Sequence, residues 1–357
     1  MKAPRAIWID RWFASSAGIM LRSLRAAFPD SALVYTHHAP SPAARAIATA
    51  CHDVAVDTVD AIAGFAERSQ AAVILPSRHP DLFVRALPLL QRRGTAVAIP
   101  SASPAVIDAL RDKSKTYAAC DLVIPGYTPR WATASSPMEL RDAVTAWTAS
   151  GQRVCYKPVY GEGAAGFRIV DPAAGETDNF LTWPNAVLST RRFGELVGQV
   201  SRVPTMLVSD YLPGPEYSVD VASVDGSVVV SVTRRKIAAA HQRIESIAEL
   251  DRVVAALSES WSLTGCWNAQ FRHDGDGKPR LLEVNARPAA GSLYLTAVGV
   301  NFPELAVRIA LGLPVAPLRF TQSVDLWRSD DATVITPPDA SQRVPRSPRT
   351  SAPKDPV

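Results

Sequence analysis

Pro279-Arg-Leu-Leu-Glu-Val-Asn-Ala-Arg-Pro-Ala-Ala-Gly291 follows Gly265-Cys-Trp-Asn-Ala-Gln-Phe-Arg-His273 across the turn Asp274-Gly-Asp-Gly277. Apolar and β-prone residues flank a turn built from residues that tolerate positive φ, so the two stretches are expected to form a β-hairpin. Side chains two apart share one face of a strand. Glu283 and Asn285 therefore point the same way, with Arg287 just beyond and Gln270 within reach on the partner strand. Two or three oxygen donors beside a guanidinium suit Mg²⁺ and phosphate oxygens. A hairpin whose solvated face merely carries Glu, Asn and Arg fits these residues equally well.

The rest of the 357-residue chain is long enough for two or three domains. It is 47% hydrophobic and 20% charged, with both signs interspersed, as in soluble globular proteins. A formal charge of +4 is too small to argue for a nucleic-acid or membrane partner. Cys51, Cys120, Cys155 and Cys266 lie far apart with no C-x-x-C pair, which argues against zinc or a disulfide framework and for reduced thiols. No run approaches a membrane span, and Asp10 and Arg11 interrupt the N-terminus where a signal peptide needs an apolar stretch, so a cytoplasmic location is expected.

Strand and helix patterns alternate through the first hundred residues. Strands are expected at Ala6–Ile9, Ala32–Tyr35, Val54–Val56, Ala72–Leu75 and Ala96–Ile99, with helices near 16–28, 41–50, 59–69 and 80–93. This alternation implies a parallel sheet covered by helices. Ligands of such sheets gather at the carboxyl ends of the strands, here Arg11, His37, Arg78 and His79. No glycine fingerprint for a dinucleotide follows the first strand. Ser103-Pro104 then opens a helix on which Val106, Leu110, Lys113 and Tyr117 share one stripe, placing a lysine on an apolar face. Snorkelling explains such a lysine, and so does an anionic ligand at a domain junction. Strand 153–158 runs into the glycine loop ending at Gly166 and then into a second strand, 167–170; glycines let backbone N–H groups approach phosphates, and Lys157 adds a point charge. A strand at 205–210 leads through a Leu-Pro-Gly-Pro turn to paired strands 216–223 and 227–236, joined at Asp225-Gly226. The run Arg234-Arg235-Lys236 reads as a solvated patch or an anion clamp. Helices are expected at 247–261 and 303–311, and the Pro-rich segment beyond about 336 lacks the apolar residues to fold.

Taken in order, these features resemble the ATP-grasp superfamily, most closely the branch similar to a single carbamoyl phosphate synthase ATP-binding unit. The resemblance covers about Ser101 to Gly312. It implies a Rossmann-like pre-ATP-grasp α/β domain with a parallel sheet (1–100), followed by a two-lobed α+β ATP-grasp fold. The small lobe, with linker helix and glycine loop, would span 101–190 and the large lobe 191–335, with a disordered tail at 336–357. Asp112-Lys113 resembles the Asp-Lys of the linker helix. Lys157, Gly161, Gly163 and Gly166 look like the lysine and flexible loop over the β- and γ-phosphates. Ser209, Asp210, Tyr211 and Leu212 resemble the segment that reads adenine, with Glu216 or Asp210 available for ribose. Gln270, Glu283 and Asn285 match the metal ligands of that branch, and Arg287 and Arg235 the catalytic basic residues. Ser209 stands where many members carry glutamate, and Ala164-Ala165 replaces glycines or serines in the loop. The implied activity is an ADP-forming ligase that uses ATP and Mg²⁺ (or Mn²⁺) to activate a small carboxylate for attack by an amine. The alternatives are a small-molecule kinase or a non-catalytic nucleotide-binding regulator. Homodimers are frequent among the proteins it resembles.

Overall fold

The computed structural model describes residues 4–12, 14–54, 56–161, 165–175, 187–238, 240–321 and 323–327. Gly163 and the whole of the 336–357 tail lie outside them.

The N-terminal sheet contains β1 (Ala6–Asp10), β2 (Ala32–Thr36), β3 (Ala50–His52), β4 (Val73–Pro76) and β5 (Ala96–Val97), all parallel, in the order β3-β2-β1-β4-β5. Helices α1 (Ala14–Ala27), α2 (Pro42–Ile47), α3 (Val59–Arg68) and α4 (Pro80–Arg92) connect them. Two expectations need correction. Helix α2 ends at Ile47, and the third strand occupies Ala50–His52 rather than Val54–Val56. The register explains the shift: Ala50 pairs with Val34 and Cys51 with Tyr35, leaving Val54 outside the ladder.

The stripe from Val106 to Tyr117 is not one helix. Helix α5 (Pro104–Arg111) stops at Asp112, whose backbone turns extended and whose carboxylate accepts from the amides of Ser114 and Lys115. That carboxylate caps α6 (Lys113–Val123), satisfying two otherwise orphaned donors. Lys113 is therefore the first residue of a helix, held at its start by its backbone N–H, which donates a hydrogen bond to the carbonyl of Val159 (3.1 Å).

The second sheet is mostly antiparallel: β6 (Trp131–Ala134), β7 (Val154–Pro158), β8 (Arg168–Val170), β9 (Val187–Leu188) and β10 (Met206–Asp210), in the order β6-β10-β7-β8-β9. Helices α7 (Pro137–Thr148) and α8 (Thr190–Val197) cover one face, where Val144, Val154, Phe193 and Val208 form a separate core. The third sheet runs β15 (Pro279–Asn285), β14 (Gly265–His273), β11 (Glu216–Val224), β12 (Ser227–Lys236), β13 (His241–Glu245), β17 (Val324–Trp327), with β16 (Leu318–Arg319) beside β12. Asp225 and Gly226, at φ 47° and 81°, make the tight turn between β11 and β12. Helices α9 (Ala248–Ser260) and α10 (Phe302–Ala310) pack against this sheet. Trp8 of the first sheet and Trp267 and Phe271 of the third belong to one continuous core. No described helix is long and apolar enough to cross a membrane.

Candidate active site

A cleft of about 650 Å³ opens between the second and third sheets. From the second sheet come Cys155 and Lys157 of β7 and Ser209 of β10, which alternate with the residues buried under α7 and α8. Lys157 Nζ donates across the cleft to the carbonyl of Leu282 (3.0 Å). That carbonyl is available because β15 carries a bulge: Glu283 opposes Gln270 and Leu281 opposes Phe271, leaving Leu282 as the extra residue. The hydroxyl of buried Tyr117 reaches the same carbonyl at 3.1 Å. Desolvation pushes the Lys157 pKa down; nearby Glu283 opposes the shift and Lys113 adds to it.

Lys113 enters from the start of α6. Buried at 7% exposure, its ammonium donates to the carbonyl of Gly161 (2.9 Å) and lies 3.8 Å from Glu283 Oε2. The lysine on the apolar stripe is therefore no snorkelling side chain. Gly166 closes the glycine loop at φ 74°, where a Cβ would come within 2.9 Å of the Pro158 ring, so both conformation and space demand glycine.

On the third sheet, Glu283 and Asn285 do share one face, and Asn285 Nδ2 donates to Glu283 Oε1 (3.1 Å). Gln270 sits directly opposite Glu283, and all three line the cleft together with Arg287. At the other end lie Ser209, Asp210, Tyr211, Leu212 and Glu216. Arg130 holds Asp210 at 2.7 Å, Arg153 stacks 4.6 Å over Tyr211, and Lys236 approaches Glu216 at 3.8 Å. A smaller chamber of about 260 Å³ adjoins the cleft, lined by Arg78 and His79 from the N-terminal sheet together with Lys113, Glu283, Asn285 and Arg287.

Arg235 is an expected site residue that the fold does not bring here. Strand alternation sends Arg234 and Lys236 to the face shared with Ser218 and Glu216, and Arg235 to the other, 3.4 Å from Glu245. The ambiguous basic run thus divides three ways, with Arg234 buried on Asp220. Arg11 and His37 do not line either chamber; Arg11 pairs with Asp10 and Asp57 instead. Sequence reasoning missed Arg272, a cleft residue whose Nε donates to the Gly214 carbonyl (2.9 Å). Period-two alternation from Gln270 would have found it. Burial raises the thiol pKa of Cys120, Cys155 and Cys266, which fits inert core cysteines.

Residues 202–328 match a family model described as ATP-grasp in the biosynthetic pathway with Ter operon. The chain is 27% identical over 245 residues to the carbamoyl phosphate synthase large chain of Gemmatimonas aurantiaca, a match covering 64% of this chain and 21% of that one. It thus spans about a fifth of the length of that curated relative. Among solved structures, N5-carboxyaminoimidazole synthetase of Staphylococcus aureus in complex with ADP superposes with a TM-score of 0.64 at 13% identity, covering 89% and 80% of the two chains. The biotin carboxylase domain of Hydrogenobacter thermophilus 2-oxoglutarate carboxylase, with MgADP and bicarbonate, gives 0.62 at 17%, covering 90% and 72%. L-amino acid ligase of Bacillus licheniformis gives 0.60 at 15%, covering 87% and 75%. The lobed architecture, the order of the lysine, glycine-loop and hairpin elements, and the match over residues 202–328 converge on an ATP-grasp fold.

Proposed function

We propose that the chain is an ADP-forming ligase that uses ATP to activate a small-molecule carboxylate for attack by an amine. The observation that carries this reading is the convergence of Lys113, Lys157, Arg272 and Arg287 on one cleft that also presents Glu283, Gln270 and Asn285. Phosphoryl transfer needs positioning and charge neutralisation more than a protein nucleophile, and four cations lining one cleft suit a polyphosphate.

In this reading the adenine end rests on Ser209, Asp210, Tyr211 and Leu212, with Glu216 toward the ribose. Gly161 and Gly166 frame the loop over the phosphates, which Lys113 and Lys157 face. The donor set fits a hard divalent cation: one carboxylate and two amide oxygens on neighbouring strands, with lysines to hold the triphosphate beside it. Glu283, Gln270 and Asn285 would hold Mg²⁺ (or Mn²⁺), which when bound supplies neutralisation of phosphate charge. Arg78, His79 and Arg287 line the adjoining chamber, where the two guanidiniums give the acceptor carboxylate a cationic wall. A carboxylate oxygen there attacks the γ-phosphorus as the bond to the bridging oxygen breaks, releasing ADP and leaving an acyl phosphate. The amine then attacks the acyl carbon, phosphate departs, and the amine proton passes to solvent or phosphate.

The test is ADP release screened across small carboxylates paired with amines, together with Glu283→Gln. This variant should bind a non-hydrolysable ATP analogue within about threefold of wild type while ADP release falls at least about a hundredfold. ADP accompanied by an amide supports the ligase, and ADP with a phosphorylated compound replaces it by a kinase. Unchanged turnover in Glu283→Gln sinks the site assignment.

A further inference from the structure

Beneath the cleft floor lies a polar cluster that the proposed chemistry leaves unused. Asp220 and Arg234, 0% and 4% exposed, form a bidentate ion pair in the third sheet. The guanidinium also donates to Ser218 Oγ (2.8 Å) and Gln242 Oε1 (3.2 Å), and Ser292 donates its hydroxyl to Asp220 Oδ1. Gly291 makes room for this arrangement, since a Cβ there would lie 2.1 Å from Arg234 Nη1. A buried pair of this kind is weak evidence for stability, because desolvation offsets much of its attraction. It does fix the direction of every hydrogen bond around it.

Asn268, 0% exposed, stands opposite Asp220 on β14. Its amide nitrogen faces Asp220 Oδ1 at 2.9 Å and the Val219 carbonyl at 3.0 Å. Neither oxygen carries a hydrogen, so only the NH₂ end of Asn268 can be turned toward them. The planar side chain then directs Oδ1 the other way, to Gln270 Nε2 at 3.5 Å. A carbonyl oxygen likewise takes only a donor. Gln270 must give its NH₂ to Asn268, which leaves its own oxygen for the cleft opposite Glu283. The two ends of a glutamine amide have nearly the same shape, so packing alone does not choose between them. A cation accepts one end and repels the other.

We infer that Asn268 is a positioning residue that sets the amide orientation of Gln270, relaying the polarity of the buried Asp220–Arg234 pair to the cation-binding face. The inference rests on the metal reading proposed above. A carboxylate at position 270 would offer oxygen in either orientation and would have no need of the relay. The prediction is therefore a non-additive pair, read out on metal affinity without turnover: Mn²⁺ titrated against protein and a non-hydrolysable ATP analogue, with free Mn²⁺ followed by electron paramagnetic resonance. Asn268→Ala should weaken Mn²⁺ binding about tenfold or more in the otherwise native chain. In the Gln270→Glu background the same substitution should cost less than about twofold. Asn268→Ser, which leaves a smaller void, provides the second arm if the alanine variant does not fold, with circular dichroism as the check. Equal losses in both backgrounds, with wild type binding Mn²⁺, overturn the relay and leave the metal site standing. A wild-type protein that binds no Mn²⁺ with the analogue overturns the metal site and the relay together.

Discussion

Lys157→Met removes one charge from the cleft while keeping most of the side-chain volume. Two unit charges 4 Å apart attract by about 4 kcal/mol at an effective dielectric of about 20. A hydrogen bond to a charged group nets about 1.5–3 kcal/mol after exchange with water. The Lys157 side chain is half-buried and its ammonium already donates to a protein carbonyl, so ligand binding bears only part of the desolvation cost. The ammonium does share its donors with the Leu282 carbonyl. A loss of about 2–3 kcal/mol follows, roughly 30- to 150-fold in ATP affinity. The variant should remain folded, because Tyr117 still donates to Leu282 and no carbonyl is orphaned. Removing a partly desolvated ammonium offsets the lost bond, so the melting temperature should hold within about 3 °C. Calorimetric titration with ATP, ADP and adenosine separates charge from packing. Adenosine affinity should change by less than about twofold, because the nucleoside carries no phosphate. An equal loss for adenosine and ATP, or an ATP loss below about threefold, would refute the placement of Lys157 at the phosphates.

Two further outcomes follow from the same cleft. The Lys157 pKa lies below its ordinary 10.5 in the folded protein, so between the two values the unfolded chain holds more protons and stability rises with pH through that window. Bound polyphosphate favours the charged ammonium. ATP binding should therefore take up protons at alkaline pH and weaken as pH rises past the free-protein pKa. Calorimetry in buffers of differing ionisation heat measures that uptake, and Lys157→Met should abolish it. Arg78→Leu should raise KM for the carboxylate about tenfold or more while leaving ATP-analogue affinity within about twofold, which initial-rate kinetics and titration together decide.

Strands and helices were legible where period and punctuation agree: β12 and β14 have the bounds expected of them, and turn residues mark the start of β12 (Asp225-Gly226) and the end of β14 (Asp274-Gly275). The hairpin that lines the cleft was legible for the same reason, since alternation alone aligns Glu283 with Asn285. Legibility failed where a local pattern continues through a tertiary interruption. The apolar stripe from Val106 to Tyr117 keeps helical spacing across Asp112, yet the carboxylate there starts a second helix. The bulge at Leu282 is a property of register between two strands and leaves no mark on either. Arg234-Arg235-Lys236 looks like one solvated run because charge density carries no record of strand phase. Burial of Arg234 depends on Asp220, Gln242 and Ser292, which are brought to it by three other segments. The short strand β13 and the edge strand β17 beside it also escaped notice; the Arg243–Asp325 pair that joins them spans 82 residues.

The partition of apolar cores gives the molecule unequal jaws. The sheet bearing Arg78 and the sheet bearing Glu283 are cemented by one continuous interior that includes Trp8 and Trp267. The sheet bearing Lys157 keeps an interior of its own beneath α7 and α8, and Val159 and Leu207 are its members in the common one. Prising Arg78 away from Glu283 would tear that common interior, whereas lifting Lys157 breaks its hydrogen bond to Leu282 and parts comparatively little oil. In the proposed reading, the anvil on which an acceptor meets the metal ligands is thus set when the chain folds. The hammer proposed to grip the phosphates is the part less firmly cemented to the rest.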